Sequence, residues 1–128
     1  MHFITVITGD WSGDGHSITE MVNIESNLSH DDMCKAYEKG CEILGFDFSE
    51  QVCKAYEESH IEEDKLKSLQ QHDIGKEIEY DDYMGKYVLD PDLYAQIYLA
   101  IVKLGKKEFY YEIVPNSKLC IGGYGLFR

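Results

Sequence analysis

ITVITGDWSGDGHSITEMVNIE, residues 4–25, is the stretch whose reading decides the fold. Phe3 to Thr8 is β-branched or aromatic almost throughout, the composition of a strand. From His16 to Ser26 the apolar positions Ile18, Met21 or Val22, and Ile24 alternate with polar ones. That period of two, broken once, predicts a half-buried strand with a bulge near Glu20–Met21. Between the strands lies Gly9-Asp10-Trp11-Ser12-Gly13-Asp14-Gly15-His16, with the chain's one tryptophan and the residues that turns require. The reading is a hairpin with Trp11 to Gly15 as its loop.

Downstream the period changes to that of helices. Ser29 is a suitable N-cap, with Asp31 and Asp32 in the first turn where the helix dipole favours negative charge. Met33, Tyr37, Cys41 and Leu44 draw one apolar stripe, and Gly45 stops the helix. Phe46 to Glu58 is divided: Phe46 and Phe48 alternate like a strand, whereas Val52 and Tyr56 suggest a helix capped by Ser49. Glu62 to Gln71 reads as a helix with Leu66 and Leu69 inward. Asp73 to Val88 reads as loop with one short strand, at Glu77–Tyr80 or Tyr87–Leu89. Asp90 and Pro91 then open a further helix, whose stripe is Leu93, Ile97, Ile101 and Leu104 and whose end is Gly105. Lys103, Lys106 and Lys107 sit at its negative end.

Phe109 to Val114, a turn at Pro115-Asn116-Ser117, and Lys118 to Phe127 predict a closing hairpin. Tyr94, Tyr98, Tyr110 and Tyr111 are assigned to the core or the sheet faces. The expected class is α+β in a single domain spanning 1–128. Its antiparallel sheet of about four strands, from the N- and C-terminal hairpins, carries three or so helices on one face.

The chain has 128 residues and a formal net charge of −12. Residues 1–92 hold 22 acids against seven lysines, and the remainder is net basic. Such a field repels nucleic acid, and the one arginine is Arg128, so direct DNA or RNA binding is not expected. Cysteines 34, 41, 53 and 120 show neither a CxxC pair nor zinc spacing. Cys34 and Cys41, seven apart on a helix, are roughly 10 Å distant, beyond disulfide reach. Met1-His2-Phe3 runs straight into the first strand, and no apolar run has the length of a membrane span. The expectation is a reduced, cytoplasmic protein without a membrane partner. The Gly-rich last strand leaves pairing with a second copy open.

Two places carry candidate chemistry. Asp10, Ser12 and Asp14, with Gly15 at the sharp turn, place oxygen ligands at alternate positions. Over those six residues the loop resembles the calcium loop of the EF-hand family, which implies a Ca2+ site there. Met21 stands where the family has its bidentate glutamate, and Glu20 is one residue early. The same loop allows a minor hydrolase, with Ser12 as nucleophile and Asp14 orienting His16. No second motif supplies an oxyanion hole.

The other place is an acidic and tyrosine-bearing surface: Glu57, Glu58, Glu62, Glu63, Asp64, Glu79, Tyr80, Asp81, Asp82 and Tyr83. Acids in runs usually form a solvated face, but tyrosine among them favours contact with a protein. In size and composition the chain is similar to toxin-immunity proteins and to phage- or mobile-element-encoded inhibitors of defence nucleases. That resemblance implies a non-enzymatic module without a cofactor, docking on a basic protein partner.

Overall fold

The computed structural model describes residues 2–10, 17–53, 60–83, 85–89 and 91–114. The first hairpin forms as its pattern requires: β1 (His2–Asp10) pairs antiparallel with β2 (Ser17–Ser26). The bulge is present but lies slightly earlier than expected. Thr8 faces Glu20 and Gly9 faces Ile18, so Thr19 is the extra residue.

α1 (His30–Leu44) begins and ends where its capping residues direct. The Ser29 hydroxyl accepts from the Asp32 amide at 3.2 Å, and Gly45, at φ +90°, donates its N–H to the Cys41 carbonyl at 2.8 Å. The ambiguous segment after it is a short helix, α2 (Phe48–Cys53). Ser49 is not its cap. Asp47 precedes the helix and accepts from the Glu50 amide at 3.2 Å, which places Ser49 inside the first turn.

β3 (His60–Ile61), α3 (Glu63–Gln70), β4 (Glu79–Asp81) and β5 (Lys86–Val88) follow. α4 (Pro91–Gly105) starts on the expected proline, and β6 (Tyr111–Ile113) closes the described chain. Among the described residues there are two three-stranded sheets, β1-β2-β6 and β3-β5-β4, rather than one sheet of about four strands. The class is α+β, with four helices. β6 pairs with β2, Ile113 opposite Ile24, so the first arm of the expected closing hairpin shares a sheet with the N-terminal hairpin. The second arm of the expected closing hairpin, 118–127, lies outside the described residues. The two places offered for one short strand both form strands, β4 and β5; β3 and the second sheet itself are not legible because strands of two and three residues are too short to display a period of two.

α4 packs on β1 and β2, and α1 packs along α4. Their approach is set by Gly40 and Gly105. A methyl on Gly40 would meet the backbone and side chain of Ile101, and one on Gly105 would meet the carbonyl of Ala36. The rings of Tyr37 and Tyr98 meet edge to face at 4.5 Å across the same pair of helices. One cluster of buried side chains runs from Ile4 and Ile24 through Met33, Leu44, Phe48, Leu99, Ile101 and Val102 to Ile61, Leu66, Leu69 and Ile78. Each of its larger members contributes about 2 kcal/mol by leaving water.

Two clamps fasten β6. The Asn27 side chain donates to the Glu108 carbonyl and accepts from the Tyr110 amide, both at 2.8 Å. The Lys103 ammonium donates to the carbonyls of Lys107 at 2.6 Å and Phe109 at 2.8 Å, which ties the segment leading into β6 to the last turn of α4. Tyr110 does not join the core: it is 67 % exposed, with Lys103 over its ring. Tyr111 is likewise on the exposed side. Tyr94 and Tyr98 do pack against the core.

Candidate functional site

The acidic and tyrosine-bearing residues gather around the small second sheet. β4 and β5 form a hairpin in which Tyr80 faces Tyr87 and Asp81 faces Lys86. Its tip is built by Asp81, whose carboxylate accepts the Tyr83 amide at 2.9 Å while its carbonyl accepts the Gly85 amide at 2.7 Å. Gly85 stands at φ +70°, a conformation that suits glycine, and so reverses the chain in place. This Asx turn holds Tyr83 outward, and 95 % of its surface is exposed.

Strand geometry separates what the sequence interleaves. Tyr80, Tyr87 and Ile61 are cross-strand neighbours in one row, while Glu79 and Asp81 alternate onto the opposite face. The row grades from Ile61, fully buried, through half-buried Tyr87 to Tyr80, 51 % exposed. The rings of Tyr80 and Tyr87 touch edge to face at 5.0 Å. The aromatic row thus leads from the core to the surface, with the tip tyrosine beyond it.

Glu62, Glu63 and Asp64 are exposed where α3 leaves β3, on the far edge of the same sheet from β4. Two strand spacings separate them from Tyr80, roughly 10 Å. Residues 60–89 hold eight acids and four lysines. Three of those lysines are held within their own turns: Lys67 by Glu63 at 3.7 Å, Lys65 by Asp64 at 3.6 Å and Lys76 by Asp73 at 2.9 Å. Lys76 keeps the Asp73 carboxyl below its usual range. The surface is therefore net negative. Glu57 and Glu58 lie outside the described residues.

Of the calcium-like set, Asp10 ends β1 opposite Ser17. Ser12, Asp14 and His16 lie outside the described residues, as does the hydrolytic arrangement drawn from them. Among the described residues no group of three or more His, Cys, Asp and Glu side chains has metal-ligand geometry.

A part-buried polar network escaped the sequence reading. The Tyr37 hydroxyl lies 3.1 Å from the Asp47 carboxylate and 2.9 Å from Ser49 Oγ, and accepts the Ser49 amide at 2.7 Å. It carries one proton, and the ionised acceptor makes the stronger bond, so that proton goes to Asp47. Ser49 then donates to Tyr37 and accepts from the Tyr94 hydroxyl at 3.0 Å. Burial pushes the Tyr37 hydroxyl well above its ordinary range, which keeps it a donor. Periodicity marked Tyr37 only as an apolar stripe residue, because its partners are ten or more positions away.

Beside this network, residues of β1, α1, α2 and α4 line a half-open cavity of about 180 Å³. Cys34 Sγ and His30 Nε2 approach to 3.8 Å at its rim. This is not an activated thiol: burial first, then Asp31 and Glu38, raise the Cys34 pKa, the reverse of what a cysteine nucleophile needs.

No family model, curated protein or solved structure matches the chain. No helix among the described residues is long and apolar enough to cross a membrane.

Proposed function

We propose that this protein is a non-enzymatic docking module that presents the β4–β5 hairpin and its acidic surroundings to a basic protein surface. The observation that carries the reading is Tyr83, an aromatic ring left almost wholly in water beside a turn closed by the Asp81 carboxylate and carbonyl. A ring so placed adds nothing to the core. A tyrosine side chain has few rotatable bonds and loses little entropy when it meets a partner, which is why tyrosine is effective at interfaces. Tyr80 supplies a second, half-exposed ring, and the negative charge steers a cationic partner toward both.

The mode of action is that of immunity proteins and of phage- or mobile-element-encoded inhibitors: occupying a basic groove, such as that of a nucleic-acid-binding protein. Partner binding is expected to weaken with salt, because exposed charges are screened over roughly 8 Å at physiological ionic strength.

The test is quantitative binding by the wild-type chain and by Tyr83→Ala to a basic partner recovered from the native host. The substitution is expected to cost at least about tenfold in affinity and to leave the melting temperature where it was. Equal affinity for the two proteins would remove the hairpin from the interface. The alternative site at Asp10, Ser12 and Asp14 has its own check, a thermal melt with calcium and with EDTA. Tight binding to the native state would raise the calcium melt by mass action; coincident melts are expected.

A further inference from the structure

The cavity beside the Tyr37–Ser49–Tyr94 network has a chemical character of its own. Its floor is apolar, from Ile4, Val6 and Met33. Its remaining walls include Ser49, Tyr94 and Tyr98, with exposed His30 and half-buried Cys34 at the mouth. Among the described residues no lysine, arginine, aspartate or glutamate lines it, although the chain as a whole is strongly charged. A site without fixed charge disfavours an ion, which would give up its hydration with nothing to replace it.

The size is equally selective. At about 180 Å³ it has room for one ring, and it lies below the usual range for larger ligands. The polar groups are set in advance. Asp47 anchors the chain of hydrogen bonds through Tyr37 to Ser49 and Tyr94, so those two hydroxyls are oriented before anything arrives. Tyr98 differs from them: its ring packs on Tyr37, but its hydroxyl makes no hydrogen bond among the described residues. A half-buried donor of this kind gains a partner when a ligand brings an acceptor.

We propose that this cavity is a binding site for a small neutral ring compound, one ring in size, carrying a hydroxyl or carbonyl that meets the Tyr98 hydroxyl. The ring lies against Ile4, Val6 and Met33, and the polar substituent is directed to the tyrosine side. The site is separate from the β4–β5 hairpin, and occupancy of one does not require the other.

Phenol is the probe, with benzoate as an anionic control of similar ring size. Titration followed by amide NMR is expected to move Thr5, Cys34 and Tyr98 with a Kd of roughly millimolar order, the range that the binding efficiency of so few atoms supports. Phenol is also expected to slow alkylation of Cys34, read by peptide mass. Tyr98→Phe keeps the ring and removes the hydroxyl, and is expected to weaken phenol by about fivefold. Val6→Phe fills the floor and is expected to abolish the response. Benzoate is expected to leave these amides unmoved. The proposal is overturned by shifts scattered over the surface, by no shift at tens of millimolar phenol, or by phenol and benzoate acting alike. An unchanged phenol affinity in Tyr98→Phe, which alters no packing atom, also overturns it should Val6→Phe not fold.

Discussion

Gly40 and Gly105 reverse an ordinary expectation. Alanine in a helix is normally better than glycine by up to about 1 kcal/mol. Here an added methyl would lie 2.7 Å from the Ile101 Cγ2 at position 40, and 2.8 Å from the Gly40 amide nitrogen at position 105. Backbone stands on the other side in both cases, so α1 and α4 must separate. Gly40→Ala and Gly105→Ala are each expected to lose about 1–3 kcal/mol in urea denaturation, the usual cost of overpacking. Either variant matching or exceeding wild-type stability would contradict the close helix approach.

Tyr37 and Tyr98 act together on the alkaline side. Burial raises both hydroxyls above the ordinary tyrosine value of 10.0. Above that value the unfolded chain gives up protons that the folded chain retains, so stability falls as pH rises. The stabilisation is whole below pH 10 and is lost as the pH climbs toward the raised folded values. Cooperative alkaline unfolding, with part of the tyrosinate absorbance appearing only at the transition, is the expected observation. Smooth titration of every tyrosine with the fold intact would contradict their burial.

At the scale of elements, the long ones were legible in the sequence and the shortest only in part. Ser29, Gly45 and Pro91 carry local signals that need no tertiary context, and α1 and α4 begin or end on them. β1 announced itself by its β-branched and aromatic composition and β2 by alternation. The second sheet was legible only in part: a short strand was expected at one of the two places where β4 and β5 both form, whereas β3 and the pairing of Ile61 with Tyr87 and Tyr87 with Tyr80 had no local signal. Ser49 misled for a related reason. Its residue type fits a cap, but its hydroxyl is taken by Tyr37 and Tyr94, and Asp47 takes the capping role.

The candidate surface divides in the same way. Exposure of Tyr80 and Tyr83 could be anticipated from the acids around them, whereas their separation from Glu79 and Asp81 by strand alternation required the register. The attachment of β6 rests on Asn27, a residue without any sequence signature. Asn27→Ala is expected to cost about 1–3 kcal/mol through two lost hydrogen bonds to backbone. Hydrogen exchange at the Tyr110 amide should accelerate more than exchange in α1, and equal acceleration would deny the clamp.

Over the whole molecule, stability and contact are drawn from different parts. The core runs from sheet β1-β2-β6 through α1 and α4 to the inner edge of the second sheet. The hairpin at that sheet's outer edge places tyrosine in water inside an acidic field. This division makes the docking reading testable without unfolding the protein. The most direct measurement is capture from the native host by the wild-type chain and by the Tyr80→Ala/Tyr83→Ala double variant, each at low and at high salt. The account predicts a basic protein retained by wild type at low salt, diminished at high salt, and lost by the double variant while its melting temperature stays close to that of wild type. Retention of the same proteins by both chains, or retention indifferent to salt, would contradict it.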